Sequence, residues 1–553
     1  MKSRIPLLFF ISFTLMFVAC GTSKSKKHLP DIAHYNATKP VVTKQSDSVF
    51  FSGKNSLLKN KQGLWELYVE GDPLEIGLSN GALSDSLLKK QEQIFFSRIE
   101  DIVPSTFQQN LLRNFLKWYN RKLYQNVPSE YQTEIYGVSQ YNSRNFNDIA
   151  PQYQRSLYLH AAHDIGHALQ DLALVGCSSF AAWGEKSESG NLILGRNFDF
   201  YVNDAFAENK IIAFIKPKEG HPFMMVTWPG MIGAVSGMNK EGLTVTINAS
   251  KSKIPLSAKT PISILTREIL QYAQNIDEAI AIAKKRKVFV SESIMVGSAQ
   301  DNKAVLIEVS PKKMGVYDVP NSNQLICSNH FQSDALKNEE RNQTQISNSH
   351  SKYRFDRMQE LFAKNPKISP QIASEILRNK DGLQNIALGY GNEKALNQLM
   401  AHHGIIFEPK EKLVWISANP YQLGEFVCYN LDSVFKERKT KSIVSFEEEN
   451  LNIAKDPFLD TKAFQNYQKF RIEDDKIDLY LKNKKEIPLE FIQHYQSLNP
   501  DYWVVYYKAG LYFYQKKYFQ LAQINFEKAL TKEITTVPEK ETIEKYLKKI
   551  KRK

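Results

Sequence analysis

The sequence predicts an α+β fold flanked by helical regions, and three observations carry that prediction. Before Gly176 apolar residues recur mostly at three- and four-residue steps, the period of a helix. At Cys177 the texture changes to short β-branched and aromatic runs bounded by glycines and asparagines. After about Leu431 it becomes charged and helical again. With 553 residues the chain exceeds what one small core serves, so two or three folding units are expected. The composition, 42% hydrophobic and 24% charged, is that of a globular protein.

Lys2 and Arg4 precede an apolar run at 5–18 that ends at Ala19-Cys20-Gly21. Positive flank, apolar segment and small residue at the cut are the order of an export signal. A cysteine at the cut resembles the bacterial lipoprotein signal, although Phe17 stands where leucine is usual. Residues 1–20 are therefore expected as a signal peptide, with Cys20 lipidated and the protein tied to a membrane of a bacterial cell envelope, on the periplasmic side. A single transmembrane anchor is the alternative, for which the run is short. Residues 21–55 are polar and read as a linker.

Residues 56–176 read as a helical region, with periodic stretches at 88–102 and 107–123 and a helix start at Pro128-Ser129-Glu130. Strands are expected at 178–183, 192–194, 211–215, 223–227 and 243–247. Helices follow at 261–272 and 276–284, then strands at 293–296, 304–309, 315–318, 405–408 and 413–416. This order makes 177–435 a layered α+β body. In the helical region 436–553, Tyr506, Ala509, Gly510, Phe513, Ala522, Phe526 and Ala529 fall on the spacing of a tetratricopeptide helix pair. One such pair must pack on its neighbours. It reads equally as a plain hairpin or as a module for a protein partner.

The net charge of +13 rests largely on C-terminal lysines interleaved with acids, which is a solvated surface. No nucleic-acid module accompanies it, so nucleic acid is not expected as a partner. Of the four cysteines, Cys20 is assigned to lipid, and Cys177, Cys327 and Cys428 remain, an odd number. Cys327 and Cys428 are expected as buried small residues.

The chemistry centres on Val175-Gly176-Cys177-Ser178-Ser179-Phe180 and the following Gly195-Arg196-Asn197-Phe198-Asp199-Phe200. A thiol is a strong nucleophile that needs a base at neutral pH. If the Gly176–Cys177 bond breaks, the new α-amine, with a reference pKa of about 8, can supply that base. Gly176 tolerates a strained backbone and leaves its carbonyl open to attack. This arrangement resembles the cysteine N-terminal-nucleophile (Ntn) hydrolases. It is most similar to the autoproteolytic family typified by acyl-coenzyme A:6-aminopenicillanate acyltransferase, with choloylglycine hydrolases and acid ceramidases more distant. Four ordered stretches support it: Glu70 to Gly77 with Asn80-Gly81, Gly237 to Leu243 leading to Asn248, Ser328-Asn329-His330-Phe331, and Ala401-His402-His403-Gly404 to Pro409.

The resemblance implies a four-layer αββα sandwich starting at Cys177, a helical prosegment that stays bound after the cut, and a small-molecule N-acyl amide substrate. It requires no metal or organic cofactor. Asp199 would balance the α-ammonium and Arg196 the thiolate. Asn329, by its side chain, and Asn248, by its backbone, would donate to the oxyanion. A later arginine is also implied, with Arg354 chosen and Arg341 the alternative. His330, His402 and His403 are expected to be structural. Two rival readings stand beside this one. His163-Asp164-Ile165-Gly166-His167, near His160, is a near miss to the zinc-protease spacing. A non-catalytic lipoprotein scaffold that binds partners through its helical tail is the other.

Overall fold

The computed structural model describes residues 22–161, 164, 175–200, 202–252, 257–436 and 444–552. Cys20 and the signal segment lie outside the described residues, as do His163 and His167. No helix among the described residues is long and apolar enough to cross a membrane.

Two sheets form the body. The larger has eleven strands in the order β1 (Thr43–Ser46), β2 (Val49–Ser52), β3 (Asn55–Lys59), β4 (Trp65–Gly71), β7 (Ile211–Pro217), β8 (Phe223–Thr227), β9 (Ser236–Asn239), β10 (Leu243–Ala249), β11 (Glu292–Ser298), β12 (Lys303–Val309) and β13 (Met314–Tyr317). The smaller has six: β14 (Gln324–Cys327), β5 (Val175–Ala182), β6 (Ile193–Phe200), β15 (His403–Glu408), β16 (Leu413–Ser417) and β17 (Phe426–Asn430).

Alternation along the strands assigns each face to a layer. Phe214, Met224, Met295 and Leu306 of the large sheet meet Leu194, Ile405, Phe407 and Ile416 of the small one in a core between the sheets. Val245, Ile247, Ile294 and Ile307 face the other way, onto the helices Ile262–Tyr272 and Ile276–Lys285. Phe180, Ile193, Ile406 and Trp415 of the small sheet pack outward on the helices Ser351–Lys364 and Pro370–Leu377. The body is thus the four-layer αββα sandwich expected from the resemblance.

Two sequence readings need correction. The stretch 21–55 carries β1, β2 and the start of β3, so it is not a bare linker. The region 56–176 opens with strands before its helices begin at Pro73. In β4, Trp65, Leu67 and Val69 enter the helix-side core while Tyr68 enters the core between the sheets. A strand buried on both faces lacks the polar alternation that marks a strand in sequence. β14 and β17 also escaped notice, being short apolar segments of four and five residues.

The helix Pro73–Leu83 starts on a capping box, with Asp72 and Glu75 each taking the other's backbone N–H. Gly77 lets this helix touch the helix Ser129–Ser139: a Cβ there would lie 2.2 Å from the Glu134 carbonyl oxygen. The region before Gly176 is bound to the body by polar bridges too. Glu134 pairs with Arg267 at 3.0 Å, both buried. Glu66 accepts from Ser445 Oγ (2.6 Å), the Phe446 N–H (2.9 Å) and Tyr429 Oη (3.1 Å). The C-terminal helices from Lys462 to Ile550 enclose a core of Phe470, Tyr495, Trp503 and Phe526 that also takes in Leu399 and Leu423 of the body. The helices Trp503–Gln515 and Phe519–Leu530 form the pair expected from the tetratricopeptide-like spacing.

Candidate active site

Cys177 lies in β5, with β6 on one side and the line of β14 on the other, and is 1% exposed. Its N–H donates to Asn329 Oδ1 at 3.0 Å. Asn329 is held just beyond β14 by its own N–H to Ser351 Oγ (2.8 Å) and by Nδ2 to the Ala249 carbonyl (2.8 Å). The amide's orientation follows from these partners, since its oxygen faces donors only.

Arg354 belongs to the first turn of the helix Ser351–Lys364, which packs on β5 and β14. Nη1 donates to the Cys177 carbonyl (2.5 Å) and Ser178 Oγ (2.8 Å), and Nη2 to Asn329 Oδ1 (2.5 Å). Arg341 is exposed and donates to the Ser252 carbonyl at 3.3 Å. Of the two arginines weighed from sequence, only Arg354 touches Cys177.

Arg196 approaches from β6. Nη2 points to Cys177 Sγ at 3.7 Å and to the Ile247 carbonyl at 2.5 Å, and the guanidinium lies 4.1 Å from the Phe198 ring centroid. Asp199 stands opposite Gly176 in the strand register. Its carboxylate is fully buried, and neither oxygen has a hydrogen-bond partner among the described residues. Burial pushes this carboxyl up to about 7, against the pull of Arg354 and then Arg196. Burial likewise raises the Cys177 thiol, while Arg196 pulls it down.

Asn248, in β10, takes the Ser179 hydroxyl at 2.6 Å on Oδ1 and donates Nδ2 to the Cys327 and Ser328 carbonyls, each at 3.3 Å. Its side chain therefore ties β5, β10 and β14 together. Cys327 and Cys428 are buried and unbridged, as expected. His330 bonds Ser351 Oγ at 2.8 Å, and burial lowers its pKa to about 4. His160 bonds the Ser156 carbonyl (2.7 Å) and accepts the Ile232 N–H (2.9 Å). Asp164 accepts the Ile262 N–H at 2.7 Å. Among the described residues no group of three or more His, Cys, Asp or Glu could hold a metal ion.

Three further residues reach the site without a sequence signal. Glu292, at the start of β11 opposite Ala249, is buried with both oxygens unpartnered among the described residues. Burial raises its carboxyl well above the ordinary range. Gln398 packs its amide on Gly176, where a Cβ would meet Nε2 at 2.5 Å. Ser236, at the start of β9, accepts from Arg196 Nη1 at 2.5 Å. None belongs to a spacing that singles it out in the chain; each is placed by sheet register or by a distant loop. Nearby, Phe200 stacks on Phe198 (5.6 Å) and Trp228 (5.8 Å) and lines a cavity of about 50 Å³ with Leu88, Phe95, Phe206 and Met231.

Comparisons with known proteins bear on this geometry. Residues 184–420 match the family model of acyl-coenzyme A:6-aminopenicillanic acid acyl-transferase. The match opens just after Cys177, so it takes in Arg196, Asp199, Asn248, Asn329 and Arg354 but not the cysteine. An uncharacterized protein of Archaeoglobus fulgidus is 24% identical over 277 residues, 46% of this chain and 45% of that one. Protein dcd1B of Dictyostelium discoideum is 27% identical over 155 residues, 28% of this chain and 31% of that one. The chain thus spans less than half the length of either relative. Two solved structures are also similar, each with a TM-score of 0.32. The N-acylethanolamine-hydrolyzing acid amidase ortholog of Caenorhabditis elegans is 16% identical and covers 42% of this chain and 93% of its own. A mutant of the conjugated bile acid hydrolase of Clostridium perfringens is 13% identical and covers 49% of this chain and 99% of its own. At that TM-score the fold rests on the layering described above. Over residues 184–420 the chain is thus similar to the acyl-coenzyme A:6-aminopenicillanic acid acyl-transferase family.

Proposed function

We propose that the chain is an amide hydrolase or acyltransferase that cuts itself between Gly176 and Cys177 and then uses Cys177 as an N-terminal nucleophile. The observation that supports this most is the convergence on one buried cysteine, directly after a glycine, of Arg196, Arg354, Asn329 and a carboxyl near neutral pKa.

In the first step Sγ attacks the Gly176 carbonyl carbon, the C–N bond to Cys177 breaks, and a thioester forms. The proton lost by sulfur goes to Asp199, whose pKa of about 7 suits a group that both takes and gives a proton. The leaving nitrogen takes a proton in return. Water then hydrolyses the thioester, leaving a Gly176 carboxylate and a free Cys177 amine and thiol. In turnover the amine serves as base, the thiol attacks a substrate amide, and the acyl group passes to water or to an amine. Arg196 stabilises the thiolate. Asn329 Nδ2, which uses one hydrogen on the Ala249 carbonyl, has a second for the tetrahedral oxyanion. The Asn248 N–H, expected from the resemblance as the other donor, is turned by the β10–β11 register toward the Ser293 carbonyl and is not free for it.

The region before Gly176 stays bound after the cut, because β4 pairs with β7 from Trp65 to Gly71. We infer from the sequence alone that Cys20 carries the lipid anchor, which places the enzyme on a membrane of the cell envelope. Incorporation of labelled palmitate that disappears in Cys20→Ala tests that inference; label retained by the variant refutes it.

The enzymatic reading is tested by incubating processed protein with a panel of N-acyl amides and weighing it. A transient acyl adduct on the fragment that begins at Cys177, together with amine release, is expected. Amine release with no dependence on Cys177 would overturn the assignment of the nucleophile.

A further inference from the structure

Arg196 is useful to a thiolate only if its guanidinium stays turned toward sulfur. Its Nη2 donates to the Ile247 carbonyl, while Nη1 reaches Ser236 Oγ (2.5 Å) and the Val235 carbonyl (3.3 Å). Ser236 Oγ also lies 2.9 Å from His403 Nε2, and His403 Nδ1 lies 2.9 Å from His402 Nδ1. All of these side chains are fully buried. A continuous hydrogen-bonded chain therefore runs from the thiol's arginine through one serine to two histidines.

The positive end sets the direction of the chain. A guanidinium only donates, so the Ser236 oxygen accepts from it and keeps its own hydrogen to give. His403 Nε2 is the ring nitrogen placed to take that hydrogen, which leaves His403 protonated on Nδ1. His402 Nδ1 must then accept, and His402 carries its hydrogen on Nε2. That nitrogen has no hydrogen-bond partner among the described residues. The His402 ring lies edge-on to Trp228 (5.7 Å) and Phe206 (6.0 Å). With the opposite direction the serine hydrogen has no acceptor and a bare ring nitrogen is buried among aromatic rings, which costs more.

We propose that Ser236 and the His402–His403 pair are positioning residues that hold Arg196 against the Cys177 thiol. The proposal rests on the reading of Cys177 as nucleophile. The charged groups that face the pair are Arg196 and the buried Lys210. Burial first, and these cations second, keep both imidazoles neutral, so the pair offers an acceptor and adds no charge. The backbone fixes it in place: His403 stands opposite Phe198 in register, and the His402 N–H donates to the Phe198 carbonyl at 2.8 Å. The strand that carries Arg196 and Asp199 is thus the one that locks the histidines.

The test uses the full chain after processing, with Ser236→Ala, His403→Leu and His403→Gln. Cys177 alkylation by iodoacetamide is followed over pH against a Cys177→Ala background, and the rate of self-cleavage is read separately on each freshly made chain before it is processed. Ser236→Ala and His403→Leu should move the alkylation midpoint up by about one pH unit and slow cleavage about tenfold. His403→Gln, whose amide oxygen can still accept, should stay near the wild type. Should His403→Leu fail to fold, Ser236→Ala, which removes a single oxygen, decides the matter. Folded Ser236→Ala with the wild-type alkylation profile and cleavage rate would overturn the proposal, as would His403→Gln impaired as much as His403→Leu. If the wild type shows no alkylation at Cys177, it is the nucleophile reading that fails.

Discussion

The two regions outside the Cys177 body are attached to it by different means. The region before Gly176 shares backbone with the body: it contributes β1 to β4 to the large sheet and adds the buried Glu134–Arg267 pair and the Tyr429–Glu66 hydrogen bond. The C-terminal helices add no strand to either sheet and dock through side chains: their core takes in Leu399 and Leu423 of the body, and Asn392 Nδ2 donates to the Glu533 carbonyl and Asn499 Nδ2 to the Tyr390 carbonyl, each at 2.8 Å. One region can therefore lose its peptide bond to the body and remain in place. The other is held by side-chain packing and loop contacts alone.

The largest effect that sharpens this contrast is at the cysteine. Cys177→Ala should leave the chain whole and lower amide turnover by about a thousandfold or more, measured by gel and amine release. Next comes Arg354→Leu. It strips the Cys177 carbonyl, Ser178 and Asn329 of a shared buried donor, a loss of about 1–3 kcal/mol for each acceptor left unpartnered, and should slow self-cleavage by about a hundredfold or more. Arg341→Ala, by contrast, should cleave at the wild-type rate.

Gly176→Ala drives a methyl group into the Gln398 amide, and overpacking of this kind costs about 1–3 kcal/mol. Cleavage followed by gel should slow about tenfold, and adding Gln398→Ala should restore part of the rate. If the double variant is no faster, contact with Gln398 is not the cause.

Asp199 makes a pH prediction whose sign is fixed. Its folded pKa, about 7, lies above the ordinary 3.8, so the fold favours the protonated form. The stability it contributes is full below about pH 4 and is lost as pH rises through 7. Urea unfolding of uncleaved Cys177→Ala should show this slope, and adding Asp199→Asn should flatten it.

The smallest effect on chemistry belongs to the tail. Phe526→Ala should destabilise the C-terminal helices by about 3–5 kcal/mol, seen as increased proteolysis there, with cleavage at Gly176 unchanged. A slowed cut would show that the tail supports the site after all.

How much of this was legible in the sequence depended on whether a residue's role is local. The strands after Cys177 and the helices at 262–272 and 276–285 show in their own periodicity. Cys177, Arg196 and Asp199 lie close enough in the chain for their spacing to carry meaning, and the structure brings them together with Asn329 and Arg354. β4 was hidden because burial on both faces erases alternation. Glu292, Ser236 and Gln398 are brought to the site only through sheet register and long-range packing, which no local pattern records. His402 and His403 were visible as a pair, but their link to Arg196 runs through Ser236, a residue with nothing in its neighbourhood to mark it.

The central claim is that the bond before Cys177 breaks by the action of Cys177 itself. Intact mass and N-terminal sequencing of the purified chain lacking residues 1–20, beside its Cys177→Ala variant, test it directly. The account predicts two associated fragments from the former, the larger beginning at Cys177, and a single chain from the variant. A folded wild-type protein that stays whole, or a variant that is cut at the same bond, would contradict it.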